Sequence, residues 1–405
     1  MKFNDIYKDD AKVKPFLFAI LFLGLAGGLY KGVLDNYLAE VIHIGKFDRG
    51  VVEFFRELPG LMLILILAVL CDFSENALFR IGCCVSLAGL CLIRLVPPGK
   101  ALVIFALTVY SVGEHINLGM KSSLTLDMSK PGLGGTAMGM TSFVTSMGAI
   151  MGFVAVSVLF LFLSGLQGYK TVFTVAMVLY AFAILFAFLM GGERKTQTRQ
   201  SRFYFRKKFN KYYMLEVFYG ARKQVYLTFG PYVLILYYHA PTSVIGMLYA
   251  ICAISEVVFS PLVGKIIDRF GYRIVMIMDT LILVVVCFFY GFSPRFFAPH
   301  TAYILACVSY VLDSIISLAS MASSVYVQDI ATDRSEVRAT LSTGISVNHL
   351  ISILIALFGG WIWQKTGIEV LFTLSALLGV ANSVYAATIP KEGAAMGRRR
   401  NEQGR

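Results

Sequence analysis

The sequence is divided into long apolar blocks, nearly free of charge, that short polar segments separate. A helix that crosses the hydrocarbon core of a bilayer needs about 20 mostly apolar residues, and these blocks reach that length with their flanks. A membrane barrel would show strands of about ten residues with alternating polarity, whereas these blocks are apolar on every side. The pattern predicts an all-α integral membrane protein. The clearest blocks are residues 16–30, 58–71, 101–112, 143–163, 171–190, 281–292 and 350–362.

Composition excludes a soluble fold. The chain has 405 residues, of which 57% are hydrophobic and 15% are charged, while soluble domains carry about 45–50% apolar and about 25% charged residues. A water-soluble protein of this length could not hide so much apolar surface, because much of its exterior must face water. The lipid bilayer is therefore predicted to be the main partner of the chain.

Twelve spans fit the blocks, and one long polar segment divides them into two sets of six. This predicts an N-terminal six-helix bundle at residues 1–191 and a basic cytoplasmic linker at 192–211. A C-terminal six-helix bundle follows at 212–390, and a basic cytoplasmic tail at 391–405. The connections within each half are short, as is usual for helices that cross a membrane back and forth.

The net charge of +12 has two interpretations, nucleic-acid binding or membrane topology. The cations lie between apolar blocks rather than along one soluble face, and alternate loops hold most of them. Lysine and arginine concentrate in the cytoplasmic loops of membrane proteins, so both termini and the linker are predicted to be cytoplasmic. We expect no nucleic-acid partner, and a multi-pass protein of the cell (inner or plasma) membrane.

The two halves show a faint internal repeat. The segment at 120–124 (MKSSL) is similar to that at 321–325 (MASSV), and Asp127 then corresponds to Asp329. Asp72, at the end of the second span, corresponds to Asp268 at the end of the eighth. Repeats of this kind are common in transporters that move one half against the other around a central site.

The turn after the eighth span carries the most specific motif. Residues 264–273 read GKIIDRFGYR, which resembles the G-x-x-x-D-R-x-G-R-[RK] signature of the major facilitator superfamily. The matching positions are Gly264, Asp268, Arg269, Gly271 and Arg273. The first-half copy is degenerate: it keeps Asp72 but has Ala68 for the glycine and Phe73 for the arginine.

This resemblance covers about residues 15–390 and implies a fold and a function. The fold is twelve transmembrane helices in two pseudo-symmetric six-helix bundles, and members are usually monomers. The function is secondary transport of a small-molecule solute by alternating access, with no cofactor. The signature is expected to act as a cytoplasmic gate, in which glycine lets helices approach closely and the aspartate is held by arginine and by a helix N-terminus.

A second, partial motif leaves an alternative open. Gly139, Gly148 and Gly152 fit the start of the glycine-spaced motif associated with antiporters of this family, but Phe153 replaces its proline. The alternatives are proton-driven efflux of drugs or other amphiphiles, and close helix packing through small residues. Close packing is the simpler interpretation.

Ionisable residues inside predicted spans are costly and usually face a cavity or a partner. Arg222 and Lys223 are adjacent, so they diverge by about 100° around a helix, and one could face the cavity while the other meets a carboxylate. Two cations at this depth favour an anionic or zwitterionic solute. Lys31 with Asp35, and Glu53 with Arg56 and Glu57, are spaced to form ion pairs as an alternative to a transport role. The predicted substrate-binding residues are Arg222, Lys223, Tyr219, Tyr226, Lys31 and Arg56.

Protons are the predicted coupling ion, since carboxylates and histidines in an apolar surrounding can exchange a proton near neutral pH. Glu114 and Asp313 are the favoured carriers. For the histidines, the alternative is a hydrogen-bonded packing role. The full set of predicted proton-coupling residues is Glu114, Asp313, Glu256, His115 and His349.

Motifs of soluble catalysis and nucleotide binding are absent from the sequence. It contains no HExxH, no GxSxG and no P-loop, and its seven cysteines form no CxxC pair of metal-ligand spacing. We therefore expect no enzyme activity, no metal and no ATP-driven transport. A membrane enzyme remains a competing class that would need a clustered nucleophile or metal set, and a transporter-like receptor or scaffold is the other alternative.

Overall fold

A computed structural model describes residues 6–8, 11–70, 72–191 and 205–390, and these residues are almost entirely helical. Of the predicted linker, residues 192–204 lie outside the described part of the chain, as does the whole tail at 391–405. The helical segments of the N-terminal half are α1 Val13–Asn36 with a π-helical turn at Tyr37–Val41, α2 Lys46–Leu61, α3 Leu63–Val69, α4 Glu75–Leu95, α5 Lys100–Met128, α6 Gly134–Leu159 and α7 Gly165–Leu189. Those of the C-terminal half are α8 Asn210–Tyr238, α9 Thr242–Phe270, α10 Tyr272–Phe296, α11 Pro299–Ile316, a 3₁₀ turn at Ser317–Ser320, α12 Met321–Ile330, α13 Arg334–Thr366 and α14 Ile368–Ala386.

Ten helices among the described residues are long and apolar enough to cross a membrane. Two further helical stretches do not meet that criterion: α2 with α3, which a break near Met62 divides, and α8. α8 carries Arg222 and Lys223 in its middle, and α2 carries Glu53 and Arg56. The all-helical membrane fold is confirmed, and the count of twelve spans stays a prediction.

Two compact units are present. Unit one comprises Met1–Gly45, Phe55–Thr198 and His239–Ala253, and unit two comprises Lys46–Phe54, Arg199–Tyr238 and Ile254–Arg405. The predicted halves differ from these units in two short segments, 46–54 and 239–253, which are the first turns of α2 and α9. The bundle boundaries predicted from the sequence stay a prediction.

In unit one, α1 packs against α6 and α7, and α4 packs against α5. The contact between α1 and α6 is very close because glycines line both helices. A Cβ atom on Gly152 would lie 2.5 Å from the carbonyl oxygen of Leu25, and one on Gly148 would meet the backbone of Leu21. These two glycines are therefore occupied by helix packing, which supports that interpretation of the partial antiporter motif. Gly139, the third glycine of the motif, faces open space.

Adjacent glycines on α1 give a matched test of this packing. A Cβ on Gly28 would lie 3.0 Å from the Cα of Ala149, whereas one on Gly27 would meet nothing within 4 Å. We expect Gly28→Ala to push α1 and α6 apart and to lower the free energy of unfolding by about 1–3 kcal/mol. Gly27→Ala should be neutral or stabilise by up to about 1 kcal/mol, because alanine favours helix. Thermal unfolding of the purified variants in detergent measures both, and equal effects would contradict the assigned packing.

In unit two, α10 packs against α14, and α8 packs against α13 and α14. Its core at one end of the helices is rich in tyrosine, with Tyr212, Tyr272 and Tyr326 buried. The hydroxyl of Tyr272 donates to Asp329 at 2.9 Å. Aromatic rings supply large apolar area while their hydroxyl groups still find partners, so this core fixes the ends of α10 and α12.

Candidate functional site

An ion pair between α1 and α5 lies in unit one. Lys31 Nζ is 2.8 Å from Glu114 Oε1, and the two side chains are 46% and 31% exposed. Charged groups at membrane depth that are this exposed cannot face lipid without a large cost. The pair is thus charged, partly exposed and carried by two helices long enough to cross a membrane.

Other polar groups surround this pair. Glu114 interacts electrostatically with Arg56 of α2 and with His115, its neighbour on α5. The backbone carbonyl of Arg56 accepts a hydrogen bond from Ser111, which fixes α2 against α5. His115 Nδ1 lies 2.8 Å from the carbonyl oxygen of Ser111, and this contact agrees with the packing alternative for that histidine.

A buried ion pair lies in unit two. Arg222 of α8 donates to Asp279 of α10 at 2.8 Å, with side-chain exposures of 2% and 4%. The guanidinium also lies over the ring of Tyr219, 4.4 Å from its centroid. Tyr226, one turn further along α8, is buried and contacts Cys287 through its hydroxyl at 3.7 Å. A direct contact with solute, as predicted for Arg222 and Tyr226, would require these side chains to leave the protein interior.

Lys223 lies on another face of α8 and is half-buried. It interacts electrostatically with Glu216 of α8 and with Glu256 of α9. Glu216 accepts hydrogen bonds from Ser323 at 2.9 Å and from Asn348 at 3.5 Å. Of the two adjacent cations, Lys223 is therefore the more exposed one.

The remaining predicted carriers have different environments. Asp313 of α11 is buried and interacts electrostatically with Arg222, Lys223 and Asp279. Glu256 is exposed on α9, and His349 is half-buried on α13. The structure thus brings Asp313 towards the buried pair and Glu256 towards Lys223.

One ion pair suggested by sequence spacing is formed differently, and one carboxylate of a second predicted pair has a further partner. Lys31 bonds Glu114 instead of Asp35, and Asp35 accepts a hydrogen bond from Tyr249 at 2.6 Å. Glu53 pairs with Arg49 at 2.7 Å, one turn earlier on α2. Spacing along one helix shows which residues share a face, but the helices packed on that face decide the partners.

Three residues of these clusters were missed by sequence reasoning as site residues: Lys121, Glu216 and Asp279. Each is an ionisable residue within a long helix, and that signal alone could have found it. Lys121 interacts electrostatically with Lys31 and Glu114.

The gating motif forms the junction between α9 and α10. Gly271 adopts a φ of +83°, a backbone conformation that favours glycine, and it allows α10 to start directly after α9 ends. Arg273 then donates to the carbonyl oxygen of Ala387, at the end of α14. These two residues fix the geometry of the turn within unit two.

The other motif residues are less constrained. Asp268 and Arg269 are exposed, and the Arg269 guanidinium lies 5.4 Å from the ring centroid of Phe270. A Cβ on Gly264 would meet nothing within 4 Å, so the predicted role of that glycine in close helix approach stays a prediction. Asp72 of the degenerate first copy is also exposed.

Metal binding finds no support in the described ranges, 6–8, 11–70, 72–191 and 205–390. Within them, no group of three or more histidine, cysteine, aspartate or glutamate side chains is arranged to hold a metal ion. The charged clusters instead combine lysine or arginine with carboxylates.

Comparison with known families gives one match in sequence. The family model described as Major Facilitator Superfamily matches residues 212–404. That range begins in α8 and includes the complete gating motif. No curated protein matches the chain in sequence.

Solved structures resemble the chain over nearly its whole length. The nucleoside transporter NupG gives a TM-score of 0.73 at 17% identity, covering 93% of this chain and 98% of that one. A POT family transporter in complex with 5-aminolevulinic acid gives 0.74 at 10%, covering 92% and 94%. A D-xylose-proton symporter gives 0.69 at 13%, covering 95% and 98%. At these identities the likeness shows the fold, and it extends to both halves of the sequence.

Proposed function

We propose that the chain is a member of the major facilitator superfamily, whose family model matches residues 212–404, and that it is a proton-coupled secondary transporter of a small organic solute, anionic or zwitterionic. Membership of this family places it among transporters and not among enzymes. We further propose twelve spans in two six-helix bundles, cytoplasmic termini and a monomer in the cell membrane.

The observation that carries the proposal is the Lys31–Glu114 pair. Two ionised side chains, half and one-third exposed, sit inside helices long enough to cross a bilayer. Such residues mark pathways for solutes and ions in membrane proteins. In unit two, Lys223 and Glu216 of α8 with Glu256 of α9 supply a second charged group.

The type of solute is inferred from these charges. Lysine and arginine bind carboxylates and phosphates, whereas carboxylates bind amines or exchange protons. A solute with an acidic group, with or without an amine, fits both clusters. Two of the structurally similar proteins support this solute class and proton coupling. One is in complex with 5-aminolevulinic acid, which bears an amine and a carboxylate, and the other is a proton symporter.

Alternating access requires contacts that form and break. In unit one, the start of α9 is held by Asn36, which donates to the carbonyl oxygen of Ala240 at 3.0 Å, and by the bond between Tyr249 and Asp35. Tyr169 adds a contact with Thr242 at 2.9 Å. We propose that these polar contacts break in one step of the transport cycle. The turn at Asp268 and Arg269, at the other end of α9, forms the gate on the opposite side.

Counterflow in proteoliposomes tests the function. Vesicles containing the purified protein are loaded with an unlabelled solute, and entry of the same labelled solute is measured for organic acids, amino acids, nucleosides and sugars. A thermal-shift screen chooses the solutes, since a ligand that binds only the folded form raises its stability by about 2.7 kcal/mol at 100 times its Kd. We expect counterflow for at least one acidic or zwitterionic solute and none in empty vesicles.

The outcome separates the alternatives. Stabilisation and transport confined to lipophilic cations would favour drug efflux and contradict the proposed solute class. Binding of a solute without counterflow would indicate a receptor or scaffold and would contradict transport itself.

A further inference from the structure

An apolar cavity of about 300 Å³ lies in unit two, between α8, α13 and α14. We call it the α13–α14 pocket; Val225 of α8 lines it, together with residues within 355–362 of α13 and within 371–378 of α14. Among the described residues that line the pocket, Ser375 is the only polar one, and its side chain is buried. Gly359 leaves bare backbone in one wall, where a Cβ atom would lie 2.6 Å from the ring of Phe229.

The pocket has an open mouth, because several of the side chains that line it are exposed. These are Phe358 of α13 and Leu374 and Leu377 of α14. Both helices are long and apolar enough to cross a membrane, and apolar side chains exposed on such helices are surrounded by lipid tails. The mouth is therefore continuous with the surface that the bilayer covers.

The depth of the pocket matches one leaflet of a bilayer. α13 ends at Thr366 and α14 begins at Ile368. At 1.5 Å of rise per residue, the pocket residues of these two helices lie about 5–16 Å from this junction along the helix axes. The hydrocarbon core of a bilayer is about 30 Å thick, so each leaflet contributes about 15 Å. With the pocket in one leaflet, the junction lies at the level of the lipid headgroups.

A cation lies at the headgroup end of the pocket. Lys365 is exposed near the end of α13, three residues after Ile362 and seven after Phe358, so it shares their face of the helix. Glu369, at the start of α14, pairs with Arg295 at 2.9 Å, and within the described ranges no ion pair holds Lys365. A lysine at this level attracts the phosphate group of a lipid.

The chemistry of the walls restricts the occupant. Water needs about two to four polar partners, whereas this lining offers a single buried hydroxyl, and an unfilled apolar space loses dispersion contacts with its walls. We propose that the α13–α14 pocket binds one acyl chain of a membrane phospholipid and that the phosphate group of this lipid lies at Lys365. The bound acyl chain fills the space between α13 and α14 and reaches Val225 of α8. The site requires only that α13 and α14 cross the membrane, so it does not depend on transport of a solute.

Photo-crosslinking tests the site without knowledge of any solute. The purified full-length protein in detergent is mixed with phosphatidylglycerol that carries a diazirine near the end of one acyl chain, irradiated, and digested for peptide mass spectrometry. Labelling of residues 355–362 and 371–378 is compared with that of 281–285, an apolar segment of α10 in which Leu281 and Val285 are exposed. We expect the pocket segments to be labelled about tenfold more, which corresponds to a preference of about 1.4 kcal/mol. Unlabelled phosphatidylglycerol should suppress this excess.

Two tryptophan variants of α14 separate pocket binding from general contact with lipid. Leu374 lines the pocket and is 39% exposed, whereas Val380 is 42% exposed and lies outside it. Leu374→Trp should fill the pocket and reduce its labelling to the level of 281–285, and Val380→Trp should leave the excess unchanged. If Leu374→Trp does not fold, suppression of wild-type labelling by the unlabelled lipid still distinguishes a site from general contact.

Substitution of Lys365 tests the headgroup contact. Lys365→Gln should lower labelling of the pocket by about fivefold, the effect of one lysine beside an anionic lipid surface. Lys365→Arg should preserve labelling, because it keeps the charge. Lys265→Gln, at an exposed lysine of α9, is the control and should have no effect.

Equal labelling of the pocket segments and of 281–285, or an excess that persists in Leu374→Trp, would overturn the site. Labelling that Lys365→Gln leaves unchanged would overturn the assigned headgroup contact. Suppression by an uncharged apolar solute, together with no effect of unlabelled phosphatidylglycerol, would assign the pocket to that solute and contradict lipid binding.

Discussion

Replacement of Asp279 by alanine is expected to lower the free energy of unfolding by about 3–5 kcal/mol, because it leaves the guanidinium of Arg222 buried without its carboxylate. The two side chains are 4% and 2% exposed and 2.8 Å apart, so water cannot easily replace the lost partner. Unfolding of the purified variant by heat or denaturant in detergent measures the loss.

An exposed pair of the same kind provides the control. Arg295 and Glu369 lie 2.9 Å apart on α10 and α14, with side-chain exposures of 64% and 27%. Pairs in water contribute only about 0–1 kcal/mol, so Glu369→Ala should change stability little. A double variant, Arg222→Met with Asp279→Leu, should recover most of the loss, because it removes both buried charges. Equal costs for Asp279→Ala and Glu369→Ala would contradict a desolvated pair.

Replacement of Glu114 by glutamine is expected to abolish uphill accumulation driven by a pH gradient and to leave counterflow measurable. One pH unit is worth about 1.4 kcal/mol per proton, which corresponds to about tenfold accumulation. The variant cannot exchange a proton at this position, so its accumulation ratio should fall from about ten towards about one. Vesicles with and without an imposed pH gradient provide the measurement once a transported solute is known.

Access to water is the reason for testing Glu114 before Asp313, the other predicted carrier. Lys31, Arg56 and His115 act on it, as do the hydroxyl groups of Tyr110 and Tyr180. Its side chain is one-third exposed, so water can deliver a proton, whereas Asp313 is buried beside Arg222 and Asp279.

Two parallel variants complete the comparison for this prediction. Asp313→Asn tests the other carrier, and Glu369→Gln is the control at a carboxylate of similar exposure, 27%, that pairs with an exposed arginine. If accumulation by Glu114→Gln still depends fully on the pH gradient and accumulation by Asp313→Asn does not, the coupling residue is Asp313 in unit two. Full dependence in both would remove proton coupling through either residue.

The sequence predicts the helical membrane fold because the requirement behind it is local. In lipid every backbone group must bond within its own segment, so a long apolar run specifies a helix whatever its neighbours are. The boundaries between helices also have local causes. At Gly271, for example, a positive φ allows α10 to start directly after α9. The family signature at 264–273 adds the transporter fold, which the structural neighbours share.

The sequence also identifies which charged residues lie within the spans, but it does not decide their partners. Their spacing places Lys31 and Asp35 on one face of α1. Helix packing then pairs Lys31 with Glu114, while Asp35 accepts a hydrogen bond from Tyr249. Arg222 and Lys223 are neighbours in sequence, yet Arg222 is buried in an ion pair with Asp279 and Lys223 is half-buried near Glu216. A step of one residue turns a side chain by about 100°, so only the rotation of each helix against its neighbours determines which charge is buried and which meets water.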